Sequence, residues 1–248
     1  MSAPQVAIVT GAAQGLGLHF ARALFDAGYR VALTDRDEAA AVAAARGMDA
    51  SGERAFGLGL DVTRKADFET ALATVNARWG ALQVAVNNAA LTLTTPVMQI
   101  TPDEFDTVVR VNQRGTFFGC QVFGAEMAEA GYGRLVNVAS LAGQNGGTAS
   151  GAHYASSKAA VLVLTKIFAR ELAGRGVTVN ALAPGPMDLP SVRAAVPPER
   201  LAHLIQQIPV QRLGNPAFVA SLLLQLVGPE AGFATGAAWD VNGGIFMR

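Results

Sequence analysis

Two side chains four residues apart could together move a proton. Tyr154 and Lys158 stand at the start of a predicted helix, in the run Tyr-Ala-Ser-Ser-Lys, and their spacing places them one turn apart on the same face. A free phenol titrates near 10, and an adjacent cation typically lowers a pKa by about 1 to 3 units. Tyr154 is therefore a candidate general acid or base, with Lys158 lowering its pKa. Taken alone, the same spacing is also typical of a solvated helix face.

A glycine-rich turn near the N-terminus has the form of a phosphate-binding loop. A predicted strand runs directly into residues 10–17, Thr-Gly-Ala-Ala-Gln-Gly-Leu-Gly, and a predicted helix follows. Glycines there allow a tight turn and let a diphosphate approach the helix N-terminus, where free N–H groups and the helix dipole favour anions. The spacing is Gly-x-x-x-Gly-x-Gly rather than the commoner Gly-x-Gly-x-x-Gly. In its strand-turn-helix setting, the turn predicts a nucleotide site at Gly11, Gln14, Gly15, Leu16 and Gly17.

Two charged residues at the end of the second predicted strand bear on which nucleotide binds. A carboxylate there, Asp35, can accept both hydroxyls of the adenosine ribose and repels a 2′-phosphate, so it selects NAD over NADP. Arg36 is a complication, because an arginine at this point could hold a 2′-phosphate. The structural alternative for Asp35 is a cap for the helix predicted from residue 37. NAD is the predicted cofactor, with NADP less favoured.

The composition excludes several classes of function. Lys plus Arg and Asp plus Glu both number 19, the formal net charge is zero, and no block of like charges occurs along the chain. A nucleic-acid or membrane-surface role therefore has no electrostatic support. The chain is 51% hydrophobic and only 15% charged, so it can bury a large core and is not intrinsically disordered.

Cysteine and histidine usage gives no sign of a disulfide or of a metal site. The single cysteine, Cys120, cannot form an intrachain disulfide, and the three histidines stand far apart with no second ligand at metal spacing. The first apolar run has no basic segment before it, so it does not predict a secretion signal. No stretch approaches the ~18 to 20 apolar residues of a membrane span. The sequence predicts a cytoplasmic protein in a reducing compartment.

The elements that must position these residues alternate along the chain. Short apolar runs rich in β-branched residues alternate with segments of helical period, which predicts repeated βαβ units and an α/β fold with a doubly wound, mainly parallel sheet of seven strands. The 248 residues are interpreted as a single domain, 1–248. The predicted strands are 5–10, 30–34, 55–60, 83–87, 133–138, 178–182 and 237–241. The predicted helices are 15–27, 37–50, 65–78, 101–130, 154–173 and 216–227.

One segment interrupts this alternation. Residues 184–209 contain six prolines, too many for one helix, and the segment is too long for an ordinary connection. A long insertion after the carboxyl end of a strand is where a parallel sheet would place a substrate lid. The alternative is a surface loop with a short packed helix near 199–207.

At this point the sequence resembles the short-chain dehydrogenase/reductase family over essentially its whole length. The motifs that carry the resemblance are residues 10–17, Asp61-Val62, Asn87-Asn88-Ala89-Ala90, Asn112, Ser140, Tyr154 with Lys158, and Pro184-Gly185. The resemblance implies a Rossmann-like domain with NAD(P) bound across the strand ends. It also implies an oxidoreductase that acts on CH–OH groups.

The resemblance implies a catalytic tetrad and assigns a role to each member. Tyr154 is the general acid or base and Ser140 holds the substrate oxygen. Lys158 lowers the pKa of the tyrosine and binds the nicotinamide ribose. Asn112 anchors a water that links Lys158 to solvent, although without the other three it would be a routine polar helix residue. Ser140 also follows a predicted strand, at the sheet edge where ligands bind.

The resemblance also adds cofactor contacts, with two departures from the family pattern. The implied cofactor-binding residues are Gly11, Gln14, Gly15, Leu16, Gly17, Asp35, Arg36, Asp61, Val62, Asn88, Ala89, Ala90, Tyr154, Lys158, Pro184, Gly185 and Met187. Asp61 would accept from the adenine amino group, and Asn87 with the next residues would border the adenine ribose. Ala90 stands where the family usually has glycine. Leu189 stands where many members have a threonine that binds the carboxamide, which puts that contact in doubt.

The expected substrate is a neutral secondary alcohol or ketone. The predicted substrate contacts are Ser140, Leu141, Gln144, Asn145, His153, Tyr154 and Leu189, and Leu91, Thr92, Leu93, Met187 and Val192 complete a mostly neutral pocket. His153 would either touch the substrate or cap and pack the helix entrance. A first alternative is an NADPH-dependent 3-oxoacyl-carrier-protein (or CoA) reductase. The turn before the fifth strand offers no basic rim for an acidic carrier, although Arg134 and Arg175 could contribute. A second is a catalytically silent binding protein.

A homotetramer is the oligomeric state that the resemblance implies. Family members commonly assemble through the two long helices that flank the fifth strand. Apolar residues of these helices could form such contacts or pack against the sheet of the same subunit: Phe117, Phe118, Val122, Val161, Leu164 and Phe168.

Overall fold

A seven-stranded parallel sheet forms the centre of the computed structural model, which describes residues 4–147 and 151–247. The strands are β1 (Val6–Thr10), β2 (Arg30–Asp35), β3 (Ala55–Gly59), β4 (Val84–Asn87), β5 (Gly133–Val138), β6 (Val177–Pro184) and β7 (Ala238–Val241). Their order across the sheet is β3-β2-β1-β4-β5-β6-β7, and every neighbouring pair is parallel. The predicted fold class is confirmed.

Helices cover both faces of the sheet, as the near-continuous apolar strands require. They are α1 (Gly15–Asp26), α2 (Glu38–Met48), α3 (Lys65–Trp79), α4 (Pro102–Val109), α5 (Gly115–Ala130), α6 (Ala142–Asn145), α7 (Ala152–Leu172), α8 (Pro190–Ala195), α9 (Pro198–Gln207) and α10 (Pro216–Val227). One core cluster packs α1 and α10 against the sheet, and a second packs α3, α5 and α7 against the other face. Among the described residues, no helix combines the length and the apolar character needed to cross a bilayer.

The predicted helix 101–130 contains a π-helical turn that was not predicted from its sequence. It consists of α4, a π-helical turn at Arg110–Arg114, and α5. The flanking residues keep right-handed helical dihedrals, so α4, the π-helical turn and α5 form one continuous helix. The Gly115 N–H donates to the Arg110 carbonyl. Insertions of this kind are frequent at functional sites because the extra residue redirects neighbouring side chains. Asn112 lies in the middle of this turn.

The proline-rich segment forms two short helices rather than an irregular loop. Prolines 190 and 198 stand in the first turns of α8 and α9, where the missing N–H costs nothing. The α9 helix matches the short helix expected near 199–207. Met187 forms an isolated parallel bridge with Gly214, and the Gly214 N–H donates to the Pro186 carbonyl at 2.9 Å. This bridge brings the two ends of the segment together, with α8 and α9 between them.

Candidate active site

The predicted chemistry collects at the carboxyl edge of the sheet. The glycine turn follows β1, Asp35 ends β2, Asn88 follows β4, Ser140 follows β5 and Gly185 follows β6. The strand order reverses between β1 and β4, and the crevice outside such a reversal is where open α/β sheets bind ligands.

The glycine turn is built by close backbone packing. Gly11 and Gly15 have φ angles of 62° and 58°, a region that favours glycine. A Cβ atom at Gly17 would collide with the Gly11 carbonyl oxygen and with Asn88 Nδ2. By contrast, a Cβ at Gly15 would meet open space. The turn thus requires glycine for two different reasons, backbone conformation at Gly11 and Gly15 and close approach at Gly17.

Asn88 and Thr10 bind the glycine turn to the strand beside it. Asn88 Nδ2 donates to the carbonyls of Thr10, at 2.9 Å, and Gly11, at 3.0 Å. The Thr10 hydroxyl oxygen accepts from the Asn88 and Ala89 N–H groups at 3.0 and 3.1 Å. The amide of Asn88, a predicted cofactor contact, is therefore engaged in shaping the turn.

Asp35 faces the glycine turn, as a ribose-binding carboxylate must. Its Oδ2 atom accepts from the Ala13 N–H at 3.4 Å and its Oδ1 atom from the Asp37 N–H at 3.2 Å. The neighbouring Arg36 is exposed. The helix-cap role considered for Asp35 is filled by Asp37, whose Oδ1 accepts from the Ala40 N–H at 3.0 Å.

The remaining predicted adenine contacts differ in how free their side chains are. Asp61 lies after β3, which ends at Gly59, and its Oδ1 accepts from the Thr63 N–H at 2.9 Å. Val62 is buried against Gly115. Asn87, expected to border the ribose, instead has its side chain in the core, where Nδ2 donates to Asn137 Oδ1 at 2.9 Å. Asn87 faces inward because it is the last residue of β4, whose four residues are all buried.

These residues fit a nicotinamide dinucleotide. The N-terminus of α1 has no side-chain cap from Gln14, so its first N–H groups are available to an anion. The space beside Gly15 is open toward that end, and the Asp35 carboxylate stands next to the turn. A diphosphate at the helix end would place a ribose near this carboxylate, as the family arrangement requires.

Tyr154 lies in the first turn of α7 with two hydroxyl side chains against its phenol. Burial raises the pKa of Tyr154 above its ordinary value of 10.0, and hydrogen bonds with the Ser140 and Thr92 side chains lower it to a smaller extent. The Ser140 Oγ atom also accepts from the Ala142 N–H at 3.1 Å, which fixes the serine beside β5. The phenol is therefore protonated at neutral pH in this environment.

The Lys158 ammonium group is bound to a backbone carbonyl beside Tyr154, and burial sets the direction of the shift in the tyrosine's pKa. Its Nζ atom donates to the Val138 carbonyl at 2.6 Å and lies 5.8 Å from the centroid of the Tyr154 ring. The side chain is 2% exposed, and this burial lowers the pKa of Lys158 from 10.5 to about 8. The one-turn spacing brings the two residues to the same site, but the ammonium group is directed to the end of β5.

Asn112 is fully buried and holds two segments around the tyrosine. Its Oδ1 accepts from the Leu91 N–H at 2.7 Å, while its Nδ2 donates to the Leu91 carbonyl and to Ser157 Oγ, each at 3.0 Å. Ser157 Oγ in turn donates to the Tyr154 carbonyl at 2.7 Å. The amide of Asn112 thus ties the loop after β4 to the first turn of α7.

Several predicted substrate contacts are bound to protein groups. Gln144 Nε2 donates to Asp240 on β7, while its Oε1 atom is buried and has no hydrogen-bond partner in the ranges 4–147 and 151–247. Asn145 Oδ1 accepts from the Gly147 N–H at 2.9 Å. His153 is fully buried and contacts Glu104. The hydroxyl groups of Ser140, Tyr154 and Thr92 are the predicted site groups that the structure brings into one cluster.

The remaining predicted site residues lie around this cluster. Leu141 is nearly buried at the end of β5 and donates its N–H to the Pro184 carbonyl at 3.0 Å. Gly185 packs on Asn242, and Met187 is buried at the base of the proline-rich segment. Leu189 is the N-cap of α8. Ala89 and Ala90 follow β4, and an added Cβ at Gly11 would touch Ala89.

Two functional contacts of the site were not predicted from the sequence. Ser157 stands within the Tyr-Ala-Ser-Ser-Lys run, three residues after Tyr154, so its spacing was a usable signal. Glu104 lies 49 residues before His153 and belongs to no motif. Its contact arises from the packing of α4 against α7, which a single sequence does not specify.

Comparison with known proteins identifies the family. The family model described as Enoyl-(Acyl carrier protein) reductase matches residues 11–246. The chain is 36% identical over 243 residues to the 3-oxoacyl-(acyl-carrier-protein) reductase FabG of Vibrio harveyi, covering 98% of each chain. The protein is a short-chain dehydrogenase/reductase. The predicted family and the predicted enzyme class are confirmed, and this short-chain dehydrogenase/reductase acts on a carbonyl or CH–OH group with a nicotinamide cofactor.

Two further relatives belong to the same family and are named for different substrates. FabG of Escherichia coli (strain K12) is 34% identical over 245 residues, covering 98% of each chain. An acetoacetyl-CoA reductase of Shinella zoogloeoides is 37% identical over 247 residues, which is 98% of this chain and 99% of the relative. These names favour the alternative of a 3-oxoacyl thioester reductase over a neutral secondary alcohol as substrate.

Proposed function

We propose that this short-chain dehydrogenase/reductase reduces the 3-keto group of a short acyl thioester to the 3-hydroxy group. The observation that carries the proposal is the cluster of Tyr154, Ser140 and Thr92 hydroxyls at the carboxyl edge of the sheet, in a chain whose relatives are named as reductases of 3-oxoacyl or acetoacetyl thioesters. The relatives' names support the reductive direction, in which the phenol donates a proton to the carbonyl oxygen.

In this proposal Tyr154 delivers the proton and Ser140 holds the carbonyl oxygen. The bound nicotinamide supplies the hydride. The Ser140 and Tyr154 hydroxyls are hydrogen-bonded neighbours, so a ketone oxygen placed beside both would accept a hydrogen bond from each. Fixed donors of this kind stabilise the negative charge that develops on the oxygen.

Lys158 and Asn112 have supporting roles in the same proposal. The Lys158 ammonium group lies at the end of β5, 5.8 Å from the centroid of the Tyr154 ring, where it would hold the nicotinamide ribose. The positive charge of Lys158 would then lie beside the path by which a proton returns to Tyr154. Asn112 holds Leu91 and Ser157 in place around this path.

The carrier of the acyl group is proposed to be coenzyme A rather than an acidic carrier protein. Docking an acidic protein calls for accessible basic groups. Arg134 is 4% exposed and donates to the carbonyls of Gly133, Gly228 and Pro229, so it does not offer its charge to a partner. Arg175 is exposed, but the turn before β5 contributes Glu129 and no second cation.

The cofactor is proposed to be NAD(H), as the sequence predicts. The support is Asp35, whose carboxylate lies against the glycine turn at the Ala13 N–H. A 2′-phosphate there would meet a negative charge at close range. Arg36 is exposed beside it and is the residue through which NADP(H) could still be accepted.

Oxidation of a neutral secondary alcohol with NAD is the second candidate function. It is favoured by the same Asp35 carboxylate and by a neutral pocket that includes Leu91, Leu141 and Leu189. A catalytically silent binding protein is the third, and an intact tetrad is the argument against it.

A substrate panel distinguishes these functions. Purified protein is assayed with NADH and NADPH against acetoacetyl-CoA, an acetoacetyl carrier protein and a set of secondary alcohols and ketones. The proposal expects NADH-dependent reduction of acetoacetyl-CoA with the carrier-protein substrate much poorer. Efficient use of the carrier protein would refute the choice of carrier, and oxidation of alcohols without thioester reduction would establish the second candidate. No turnover with any of these, together with cofactor binding, would favour the silent protein.

A single domain over residues 1–248, a homotetramer and a cytoplasmic location remain proposals. The exposed side chains of Val163 and Ile167 on α7 support assembly through this helix. Of the six residues expected at the interface, Val161 is buried within its own subunit, whereas Phe117 and Phe168 pack together at 5.7 Å between ring centroids and are partly exposed. Light scattering of the purified protein tests the tetramer.

A further inference from the structure

The residue before the tyrosine is a buried histidine, His153, that binds the backbone N–H of Tyr154. His153 is the second residue of α7 and is fully buried. Its ring nitrogen Nδ1 accepts from the Tyr154 N–H at 3.0 Å, and its Nε2 lies 2.7 Å from Glu104 Oε1 on α4. The side chain thus occupies the helix start and links it to a second helix.

The two contacts select one form of the imidazole ring. Because Nδ1 accepts a hydrogen bond from a backbone N–H, it carries no proton in this arrangement. The proton lies on Nε2, which donates it to the Glu104 carboxylate. A carboxylate that holds one nitrogen of a histidine fixes both the tautomer and the ring orientation.

Glu104 receives a second hydrogen bond from the loop after β4. The hydrogen bond with the Thr95 side chain is the largest influence that holds the pKa of Glu104 below its ordinary value, and the bond with His153 is the next. Glu104 itself is fixed at the start of α4, where its N–H donates to Thr101 Oγ1 at 3.2 Å. The carboxylate therefore joins three segments: the loop, α4 and α7.

The same loop touches the helix start at a third point. The Gly151 N–H donates to the Leu93 carbonyl at 2.8 Å, and an added Cβ at Gly151 would collide with the His153 ring. Thr92, which contacts the Tyr154 phenol, lies between Leu93 and the Asn112-bound Leu91. The position of the loop and the position of the tyrosine are consequently set together.

We propose that Glu104 and His153 are positioning residues that hold Tyr154 in register with Ser140 and Thr92 for proton transfer. The proposal rests on the proposed function, since it takes Tyr154 as the proton donor. Both ring nitrogens of the buried His153 are taken up by protein groups, the Tyr154 N–H and the Glu104 carboxylate, so the pair acts through the tyrosine. A misplacement of the reacting groups by about 1 Å can cost on the order of 100-fold in rate, so a pair that fixes the tyrosine acts on turnover rather than on binding.

Three variants and one control test this role. Glu104→Ala removes the acceptor of both the His153 and the Thr95 hydrogen bonds, while Glu104→Gln keeps one carbonyl oxygen that can accept from Nε2. His153→Phe retains a buried ring without nitrogen atoms. Asp106→Ala removes an exposed carboxylate from the same helix and is the matched control. Each is measured for kcat and KM with acetoacetyl-CoA and NADH, for the Kd of NADH by fluorescence, and for amide exchange of the segment 151–156.

The expected result is a split between turnover and binding. Glu104→Ala and His153→Phe lower kcat by about 10- to 100-fold and speed exchange at the start of α7, with the Kd of NADH within about twofold of the unmodified protein. Glu104→Gln restores most of kcat, and Asp106→Ala changes nothing. A kcat within about twofold of the unmodified value in Glu104→Ala would overturn the proposal, as would a parallel rise in the Kd of NADH.

Failure of the proposed function can be told apart from failure of the pair. If the unmodified protein does not turn over acetoacetyl-CoA, the substrate assignment is wrong, and kcat is then measured with whichever alcohol or ketone the panel identifies. The exchange measurement needs no substrate. Unchanged exchange at 151–156 in both Glu104→Ala and His153→Phe would overturn the pair whatever the substrate is.

Discussion

The two ends of the candidate active site are held by different kinds of contact. At the nucleotide end, the glycine turn keeps its shape through backbone packing, with Gly17 against the Gly11 carbonyl and Asn88 bonded to the turn. At the tyrosine end, buried polar side chains from separate segments converge on the first turn of α7: Asn112, Ser157, His153 and Glu104. The first end depends on a close backbone approach that only glycine allows, reinforced by Asn88, and the second depends on hydrogen bonds among buried side chains. Damage to the first should therefore impair binding, and damage to the second should impair turnover.

The largest effect expected at the tyrosine end comes from Tyr154→Phe. Loss of the phenolic hydroxyl removes the proposed proton donor, and general acid catalysis typically contributes about 100- to 10,000-fold to a rate. We expect kcat to fall by about 1,000-fold with acetoacetyl-CoA, and the Kd of NADH to stay within about twofold. Steady-state kinetics and fluorescence titration measure the two quantities.

Tyr132→Phe is the matched control for this substitution. Tyr132 precedes β5, where the Arg134 guanidinium lies 4.4 Å from the centroid of its ring, and it takes no part in the tyrosine cluster. Its replacement should leave kcat unchanged. Retained turnover in Tyr154→Phe would contradict the assignment of the proton donor, and it would remove the contrast between the two ends.

The corresponding substitution at the nucleotide end is Gly17→Ala. The added methyl group would collide with the Gly11 carbonyl oxygen and with Asn88 Nδ2, and backbone cannot move aside as a flexible side chain can. Overpacking of this kind typically costs about 1 to 3 kcal/mol, and here the strain falls on the phosphate-binding turn. We expect a lower melting temperature and a Kd for NADH raised by more than about 10-fold, since 1.4 kcal/mol is a factor of ten.

A glycine of the neighbouring helix provides the control. Gly47 lies near the end of α2, its φ angle is outside the left-handed region, and an added Cβ would meet open space. Gly47→Ala should leave the Kd of NADH unchanged and raise stability by up to about 1 kcal/mol, because alanine loses less entropy in a helix. Equal behaviour of the two alanine variants would show that the turn tolerates a side chain.

The difference between the two ends also explains which parts of the site could be predicted from the sequence. The nucleotide end is local: its glycines, the preceding strand and Asp35 stand in one βαβ unit, so their spacing reveals both fold and chemistry. The seven strands were predictable for the same reason, since buried parallel strands have near-continuous apolar sequences. Their ends differ from the prediction by one to two residues, as at β6, which continues to Pro184.

At the tyrosine end, sequence spacing identified the residues but not their environment. The i,i+4 pair of Tyr154 and Lys158 was found, yet the pKa of Tyr154 is raised by burial and the lysine ammonium turns to Val138. Such an outcome depends on which carbonyl lies within reach, and this is set by the packing of β5 beneath α7. The π-helical turn at Arg110–Arg114 and the contact between Glu104 and His153 arise from packing between helices. Neither produces a local sequence pattern from which it could be predicted.

The pH dependence of stability should separate the two ends, because the tyrosine end buries a lysine. Burial lowers the pKa of Lys158 from 10.5 to about 8. Between these values the unfolded chain binds more protons than the folded chain, so the contribution of this group to the free energy of unfolding rises with pH. Below about pH 8 the lysine is charged in both states, and the cost of burying that charge is fully present.

The comparison with Lys158→Met isolates this contribution. Urea unfolding of both proteins at about pH 7 and about pH 9.5 should show the unmodified protein gaining about 2 kcal/mol relative to the variant, since one pKa unit corresponds to about 1.4 kcal/mol. Cys120, whose pKa burial raises to about 12, acts in the opposite direction, but it is present in both proteins and cancels. A difference that does not change with pH would show that the ammonium group is not desolvated.

The smallest effect is expected for Asp35→Asn, which removes a charge from the nucleotide end and leaves its shape. The asparagine keeps one oxygen that can accept from the Ala13 N–H, so the turn should stay folded. Hydrogen bonds to charged groups contribute about 1.5 to 3 kcal/mol, and loss of the charge alone removes part of that, so the Kd of NADH should rise about 5- to 10-fold. The Kd of NADPH should fall, because the 2′-phosphate no longer meets a carboxylate. Arg36→Ala is the companion variant. If Asp35 sets the cofactor preference, Arg36→Ala should raise the Kd of NADPH above that of the unmodified protein and leave the Kd of NADH unchanged. A raised Kd of NADH in Arg36→Ala would instead place the ribose against Arg36.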